Sequence, residues 1–323
     1  MGHRAGGIPA LAVRELFKDI ILGRDATEVE RLWDLMYREA LLHGRRGAVL
    51  RALSAVDIAL WDLLSRSAGL PLFRYLGAFR PDGVPAYASG GYYAEGKGLK
   101  ELAAECEGYL ALGFRAFKIK VGRLSPAEDA RRLEAVRRAV GEEVEIFLDA
   151  NNAWADATDA VAAVRHFEPY YPGWIEEPLL PDDVEGHAAV ARATRVPVAT
   201  GEIEGTRWGF KALLEREAAV LQPDAAVCGG ITEFRRIGAL AAGYGVSVAP
   251  HWFHQLHAHL VAATPNGRWV EYFHGYGVFN FGRLLANPEV ELKDGGLVLL
   301  EAPGHGLELD EGAVRRWALD GWA

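Results

Sequence analysis

Lys118 and Lys120 flank Ile119 in a short apolar run, so on a strand both lysines project to one face. Downstream come Asp149, Glu176, Glu202, Asp224, His251 and Glu271, 20 to 29 residues apart, each at or near the end of another such run. Three carboxylates brought to one point repel one another and raise each other's pKa unless a cation neutralises them. Asp149, Glu176 and Glu202 are hard oxygen ligands without neighbouring His or Cys, a set that selects Mg²⁺, or Mn²⁺, over zinc. The lysines offer base chemistry: paired ammonium groups lower each other's pKa, and a nearby divalent cation lowers it further. Lys120 is thereby expected to become a base near neutral pH. Asp224 and His251 end adjacent runs and form a carboxylate–imidazole pair, a second acid/base on the opposite side. His254, His257 and His259 have no acidic residue interleaved and are assigned to structure or the pocket wall.

Such residues need a scaffold that repeats. The spacing is that of a strand, a loop, a helix and a return loop, the unit of a closed parallel barrel. Eight strands are expected: residues 84–90, 116–122, 145–151, 174–178, 196–202, 218–224, 246–252 and 269–273. Near-continuous apolar character fits strands covered on both faces. The last runs into a Gly-rich stretch, residues 275–282, and residues 290–312 read as short antiparallel strands that leave the barrel and pack elsewhere. Residues 11–78 carry apolar residues at helical spacing. Thr27, with Glu30 three residues on, resembles a capping box, and Gly69 followed by Pro71 is a stop signal.

Composition narrows the class. A chain of 323 residues exceeds one typical domain, so a barrel with a smaller domain is expected, at 1–83, 84–285 and 286–323. A net charge of −9 argues against nucleic-acid and polybasic membrane contacts. Cys106 and Cys228 are too few and too isolated for a disulfide framework or a zinc site, and point to a reducing cytoplasm. No secretory signal is seen, and no apolar stretch reaches the roughly 18 residues that span a bilayer.

The ordered set resembles the enolase superfamily, specifically its mandelate racemase subgroup. The motifs are KIK at 118–120, LDANNAW at 148–154, WIEEP at 174–178, TGE at 200–202, QPD at 222–224, PHW at 250–252 and WVEYF at 269–273. Residues 52–77 look like the family's link from cap to barrel, and 302–311 like its C-terminal return to the cap. The resemblance implies an α/β fold: a (β/α)7β TIM-type barrel with an α+β capping domain formed by the two chain ends. Family members begin with a small antiparallel sheet whose hairpin closes over the site. This sequence opens near the end of that sheet, at Gly2–Gly7, so the N-terminal cap sheet is expected to be missing. The apolar surface it would have covered is expected to pack in a homo-oligomer.

By the same resemblance Asp149, Glu176 and Glu202 bind the metal, with Glu177 behind them. Lys120 and His251 are the bases, with Asp224 partnering His251. Lys118 and Ser89 hold the carboxylate of a small substrate, Glu271 donates a hydrogen bond to the enolate, and Asn151 faces the substrate. The implied reaction is abstraction of the proton alpha to a carboxylate. Dehydration of an acid sugar to a 2-keto-3-deoxy acid is favoured, with weak support from the polar Tyr92, Tyr93, Asn152 and Arg207. Racemisation or epimerisation of a 2-hydroxy acid is the alternative, and a non-catalytic metal-binding barrel the reading from a different class.

Overall fold

The computed structural model describes residues 6–274, 281–287 and 290–318. The first five residues of the chain and most of the Gly-rich stretch lie outside them. Helix α1 (Gly7–Ala12) continues through a π-helical stretch (Val13–Phe17) into Lys18–Ile21. Helices α2 (Val29–Ala40) and α3 (Ala48–Ser67) complete the helical N-terminal region. Phe17, Trp33, Met36, Leu50 and Leu53 are buried together and form its core. Thr27 does not cap: Asp25 Oδ1 accepts from both Thr27 N–H, at 2.8 Å, and Thr27 Oγ1, at 2.7 Å. An Asp side chain two residues upstream reaches the free N–H groups first. The stop at Gly69 forms as expected, since its φ of +67° suits the turn. Gly69 N–H then donates to Arg66 O and Leu70 N–H to Ser65 O.

The barrel alternates β1 (Val84–Ser89), α4 (Leu99–Ala111), β2 (Ala116–Lys120), α5 (Pro126–Val140), β3 (Glu145–Asp149), α6 (Ala157–Phe167) and β4 (Ile175–Glu176). It continues with α7 (Val184–Ala193), β5 (Val198–Thr200), α8 (Thr206–Leu214), β6 (Val220–Leu221), α9 (Gly230–Gly243), β7 (Ser247–Val248), α10 (His254–Ala263) and β8 (Val270–Tyr272). Each expected strand segment contains one of these eight. Consecutive strands pair in parallel from β1 to β7, and β8 pairs with β1. Closure between β7 and β8 is a single bridge, Val248 to Gly267, flanked by Val248 N–H donating to Asn266 O and Arg268 N–H to Val248 O.

Alternation of side chains divides this core in two. Ile119, Ile146, Leu148 and Ile175 face the helices. Tyr87, Phe147, Trp174, Ala199, Val220 and Ala249 fill the barrel interior, with the Phe147 and Trp174 rings stacked at 3.5 Å. That aromatic layer is a dry floor beneath the charged strand ends.

The C-terminal hairpin, β9 (Leu292–Lys293) and β10 (Gly296–Leu297), differs from expectation. It does not leave the barrel: Leu297 and Gly296 pair antiparallel with Val84 and Pro85 of β1. The start of β1 has a free edge there, because β2 and β8 pair with it only further along. The chain then returns to the helical region, where Leu72 N–H donates to Gly304 O and His305 N–H to Asp62 Oδ1. No helix of the described residues is long and apolar enough to cross a membrane.

Candidate active site

Register brings the charged residues together. Lys120 of β2 lies opposite Asp149 of β3, and Asp149 opposite Glu176 of β4. Glu202 lies just beyond the end of β5. Asp149, Glu176 and Glu202 each offer a carboxylate oxygen, and these lie within 4.8 Å of one another. Lys118 Nζ lies 2.6 Å from Glu176 Oε1, 2.7 Å from Glu271 Oε1 and 3.4 Å from Asp149 Oδ2. Lys120 Nζ lies 2.5 Å from Asp149 Oδ2. Across the mouth, His251 Nδ1 is 3.0 Å from Asp224 Oδ2, and its Nε2 is 3.8 Å from Glu202 Oε2.

These groups line a cleft of about 410 Å³ with Asn151, Asn152, Glu177, Tyr92 and Arg51. Strained backbone adjoins it: Asn151, Asn152, Glu177, Trp252 and Phe253 have positive φ, as do Ala78, Tyr171, Thr206, Glu217 and Asp294 elsewhere. Left-handed backbone is costly for side chains other than Asn and Asp, and gathers where loops must aim groups at a site.

Electrostatics follow from burial and from neighbouring charges. Burial favours neutral Lys118, but Glu176 and Glu271 outweigh it and hold the pKa well above the lysine range. Lys120 shifts the same way, with Asp149 overcoming burial. Lys118 lowers the Lys120 pKa, as expected, but the neighbouring carboxylates outweigh that lowering. Burial opposes the charge of Asp149 too, yet Lys120 and Lys118 hold it below the usual carboxylate range. Glu176, with burial and then Asp149 against it, is pushed up to about 8. Burial and then Glu202 push Glu177 up to about 9. For His251 burial acts downward, but Glu202 and the Asp224 hydrogen bond raise it to about 10.

Two expectations are corrected. Glu271 accepts on both oxygens, from Lys118 Nζ at 2.7 Å and from Trp252 N–H at 2.7 Å. Burial is outweighed by Lys118, and the pKa falls to about 2, so Glu271 is an ionised acceptor and not a donor here. Ser89 is fully buried, opposite Lys118 in the β1–β2 register, and is not among the cleft-lining residues. Its Oγ has no hydrogen-bond partner among the described residues. Of the weaker assignments, Tyr92 and Asn152 line the cleft. Tyr93 instead donates to Asp129, and Arg207 pairs with Glu233 at 2.6 Å.

Gln222, outside the residues expected at the site, donates from Nε2 to Glu176 Oε2 at 2.6 Å and fixes that carboxylate. It lies within the QPD motif, two residues before Asp224. Arg51 and Trp252, likewise outside the expected set, line the cleft. His257, left to the wall, accepts from Ala225 N–H on Nε2 and sits against Trp252 O on Nδ1, so it braces the Asp224 turn.

Comparison with known proteins agrees with this geometry. Residues 4–77 match the mandelate racemase/muconate lactonizing enzyme N-terminal domain, and residues 101–313 the enolase C-terminal domain-like family. L-talarate/galactarate dehydratase of Salmonella typhimurium strain LT2 is 38% identical over 97% of this chain and 77% of its own. A 3,6-anhydro-alpha-L-galactonate cycloisomerase of Streptomyces coelicolor is 35% identical over 98% of this chain and 86% of its own. The crystal structure of L-talarate dehydratase from Polaromonas sp. JS666, complexed with Mg and L-glucarate, superposes with a TM-score of 0.88. It is 36% identical and the match covers 97% of this chain and 85% of that one. With its barrel, its helical N-terminal region and its three convergent carboxylates, the chain belongs to the mandelate racemase/muconate lactonizing enzyme subgroup of the enolase superfamily.

Proposed function

We propose that this protein dehydrates an acid sugar to a 2-keto-3-deoxy acid, with Mg²⁺ at Asp149, Glu176 and Glu202. The observation that carries the reading is the placement of Lys120 and the Asp224–His251 pair on either side of those three carboxylates. The donor set fits the ion: three hard oxygens within 4.8 Å of one another, in a cleft open to further oxygen ligands. Bound there, Mg²⁺ supplies positive charge against the developing oxyanion and cancels the carboxylate field that keeps Lys120 protonated.

The chain's own residues do the rest. Lys118 supplies a buried cation for the substrate carboxylate. Lys120 Nζ takes the alpha proton, and the electron pair moves toward the carboxylate oxygens. As the pair returns, the β-carbon–oxygen bond breaks and His251, protonated and oriented by Asp224, gives its proton to the departing hydroxyl. Water leaves, and the enol tautomerises to the 2-keto acid. The aromatic floor of Phe147 and Trp174 keeps water from beneath the reacting groups.

A second reading, racemisation or epimerisation, is favoured by the same two acid/base groups, since reprotonation from the other side inverts the alpha carbon. Incubating the protein with Mg²⁺ and a panel of acid sugars in deuterium oxide, with mass spectrometry, separates the two. Loss of one water from a panel member is expected. Deuterium incorporation at unchanged heavy-atom composition would favour racemisation or cycloisomerisation and set dehydration aside.

A further inference from the structure

One cation lining the cleft has no part in the proposed chemistry. Arg51, in the first turns of α3, is partly buried and lines the cleft with Asn152, Ile203 and Val227. Lys118, Lys120 and His251 are each tied to carboxylates. Arg46, just before the N-cap of that helix, is engaged with Glu204 at 3.1 Å and Asp182 at 3.6 Å. The Arg51 side chain makes no hydrogen bond or ion pair with any described residue.

Its position is set by the helix. Ser54, three residues on and so on the same face, accepts from Gly229 N–H at 3.0 Å. Asp57, the next residue along that face, accepts from Thr232 N–H at 2.9 Å. These bonds seat α3 on the segment after β6, where Asp224 leads into a short helix (Ala225–Cys228) that carries Val227, and on the start of α9. Arg51 therefore stands on the Asp224–His251 side of the cleft, away from Lys118 on β2. A cleft with an engaged cation at one end and an unengaged guanidinium at the other suits a ligand with negative charge at both ends. A guanidinium fits a carboxylate through two parallel hydrogen bonds.

We propose that Arg51 determines specificity by taking the distal carboxylate of a sugar diacid whose reacting carboxylate lies at Lys118. The proposal rests on the acid-sugar reading above and names which acid sugars the cleft takes. A monoacid of the same length places a neutral hydroxymethyl group at Arg51, which leaves the guanidinium without a counter-charge.

The test compares a hexaric acid with the hexonic acid of the same stereochemistry, as substrates of the native protein, Arg51→Gln and Arg51→Lys. The native protein is expected to prefer the diacid. Arg51→Gln is expected to lower kcat/KM for the diacid by about 10- to 100-fold, mostly through KM, with the monoacid changed by less than about 3-fold. Arg51→Lys should recover part of the loss, because charge returns without the planar fork. Calorimetric binding of both acids to Lys120→Ala in Mg²⁺, with and without Arg51→Gln, reads affinity where nothing turns over. A diacid preference that disappears with Arg51→Gln in that measurement supports the proposal whatever reaction the enzyme catalyses. Equal affinity for the two acids, or equal losses for both on substitution, overturns it while leaving the acid-sugar reading intact. Failure of every protein to bind either acid would overturn both.

Discussion

On the β2–β5 side of the cleft the charged side chains interlock. Lys118 touches three carboxylates, Lys120 touches one of them, and Gln222 and Trp174 hydrogen-bond to Glu176 from behind. On the other side, formed by β6, β7 and α3, the arrangement is sparse: Asp224 orients His251, and Arg51 stands alone among the described residues. The first side is an ion-binding wall whose charges require a metal to settle. The second is positioned by ordinary hydrogen bonds and needs none. Chemistry placed on the first should depend on metal, and chemistry on the second should survive its removal in geometry if not in rate.

The largest expected effect breaks the first wall at its base. Lys120→Ala should lower kcat by about 10⁴-fold, the upper end for loss of a general base. Asp224→Asn should lower it by about 10²-fold, because His251 keeps its place but loses its fixed tautomer and part of its positive charge. Titration calorimetry should find Mg²⁺ affinity unchanged in Asp224→Asn. A weakened metal site in that variant would mean the two walls are one network.

Gln222→Leu sharpens the contrast from the other direction. Removing the donor to Glu176 should weaken Mg²⁺ by about 10- to 100-fold, as for other groups that orient metal ligands. The metal-free wall also carries a pH signature. Glu176 is raised to about 8 and Glu177 to about 9, above the ordinary glutamate value of 4.5. Between their unfolded and folded values the native protein holds protons that the unfolded chain has released, so stability falls as pH rises from about 5 to about 9. His251, raised from 6.5 to about 10, has the same sign: its contribution is full below about 6.5 and is lost as pH rises toward 10. A divalent cation binds the ionised wall, so scanning calorimetry should show a larger Mg²⁺-induced rise in Tm at about pH 8 than at about pH 6. At a hundredfold excess over Kd, that stabilisation is about 2.7 kcal/mol. A rise independent of pH would show that Glu176 and Glu177 are already ionised without metal.

The first wall was also the more legible in the sequence. Its lysines and carboxylates end successive apolar runs, and parallel register forces such ends to meet. Burial then selects a cation, which composition alone indicates. The direction of the lysine shifts was not legible, because it depends on how many carboxylates each ammonium meets. Lys118 meets three. The second wall was only half visible. Asp224 and His251 followed the strand rule, but Arg51 reads as an ordinary polar position of an amphipathic helix, and periodicity says nothing of what that helix docks on. Arg207 lies away from the cleft for the same reason: its neighbour across the fold is Glu233, 26 residues on, held in a fully buried position. The hairpin after β8 reads as strands in the sequence, yet its partner, the free edge at the start of β1, is a tertiary fact.

The smallest effect concerns what seats the second wall. Asp57 of α3 is fully buried, with Oδ2 accepting from Thr232 N–H at 2.9 Å and Oδ1 from Thr232 Oγ1 at 2.6 Å. Trp61 Nε1 donates in turn to that hydroxyl at 2.8 Å. A carboxylate from one helix thus caps the first turn of another, α9, and holds Arg51's helix over the cleft. Gly230 leaves the room for it: a Cβ there would come 2.3 Å from Asp57 Oδ2. Burial pushes the Asp57 pKa up to about 7, against the lowering effect of the Thr232 hydrogen bonds. A raised acid holds a proton in the folded state that the unfolded chain has lost, so this contribution to stability falls as pH rises from about 4 to about 7. Asp57→Asn keeps an oxygen for Thr232 N–H, but its amide nitrogen cannot accept the Thr232 hydroxyl. The cost should be about 1 kcal/mol at about pH 5, read as a lower Tm. Because the variant cannot ionise, the gap to the native protein should narrow by about pH 8, with Mg²⁺ affinity unchanged and KM raised where Arg51 is displaced. A gap that stays constant between those two pH values would mean that Asp57 is ionised throughout, and that the tether is an ordinary charged helix cap.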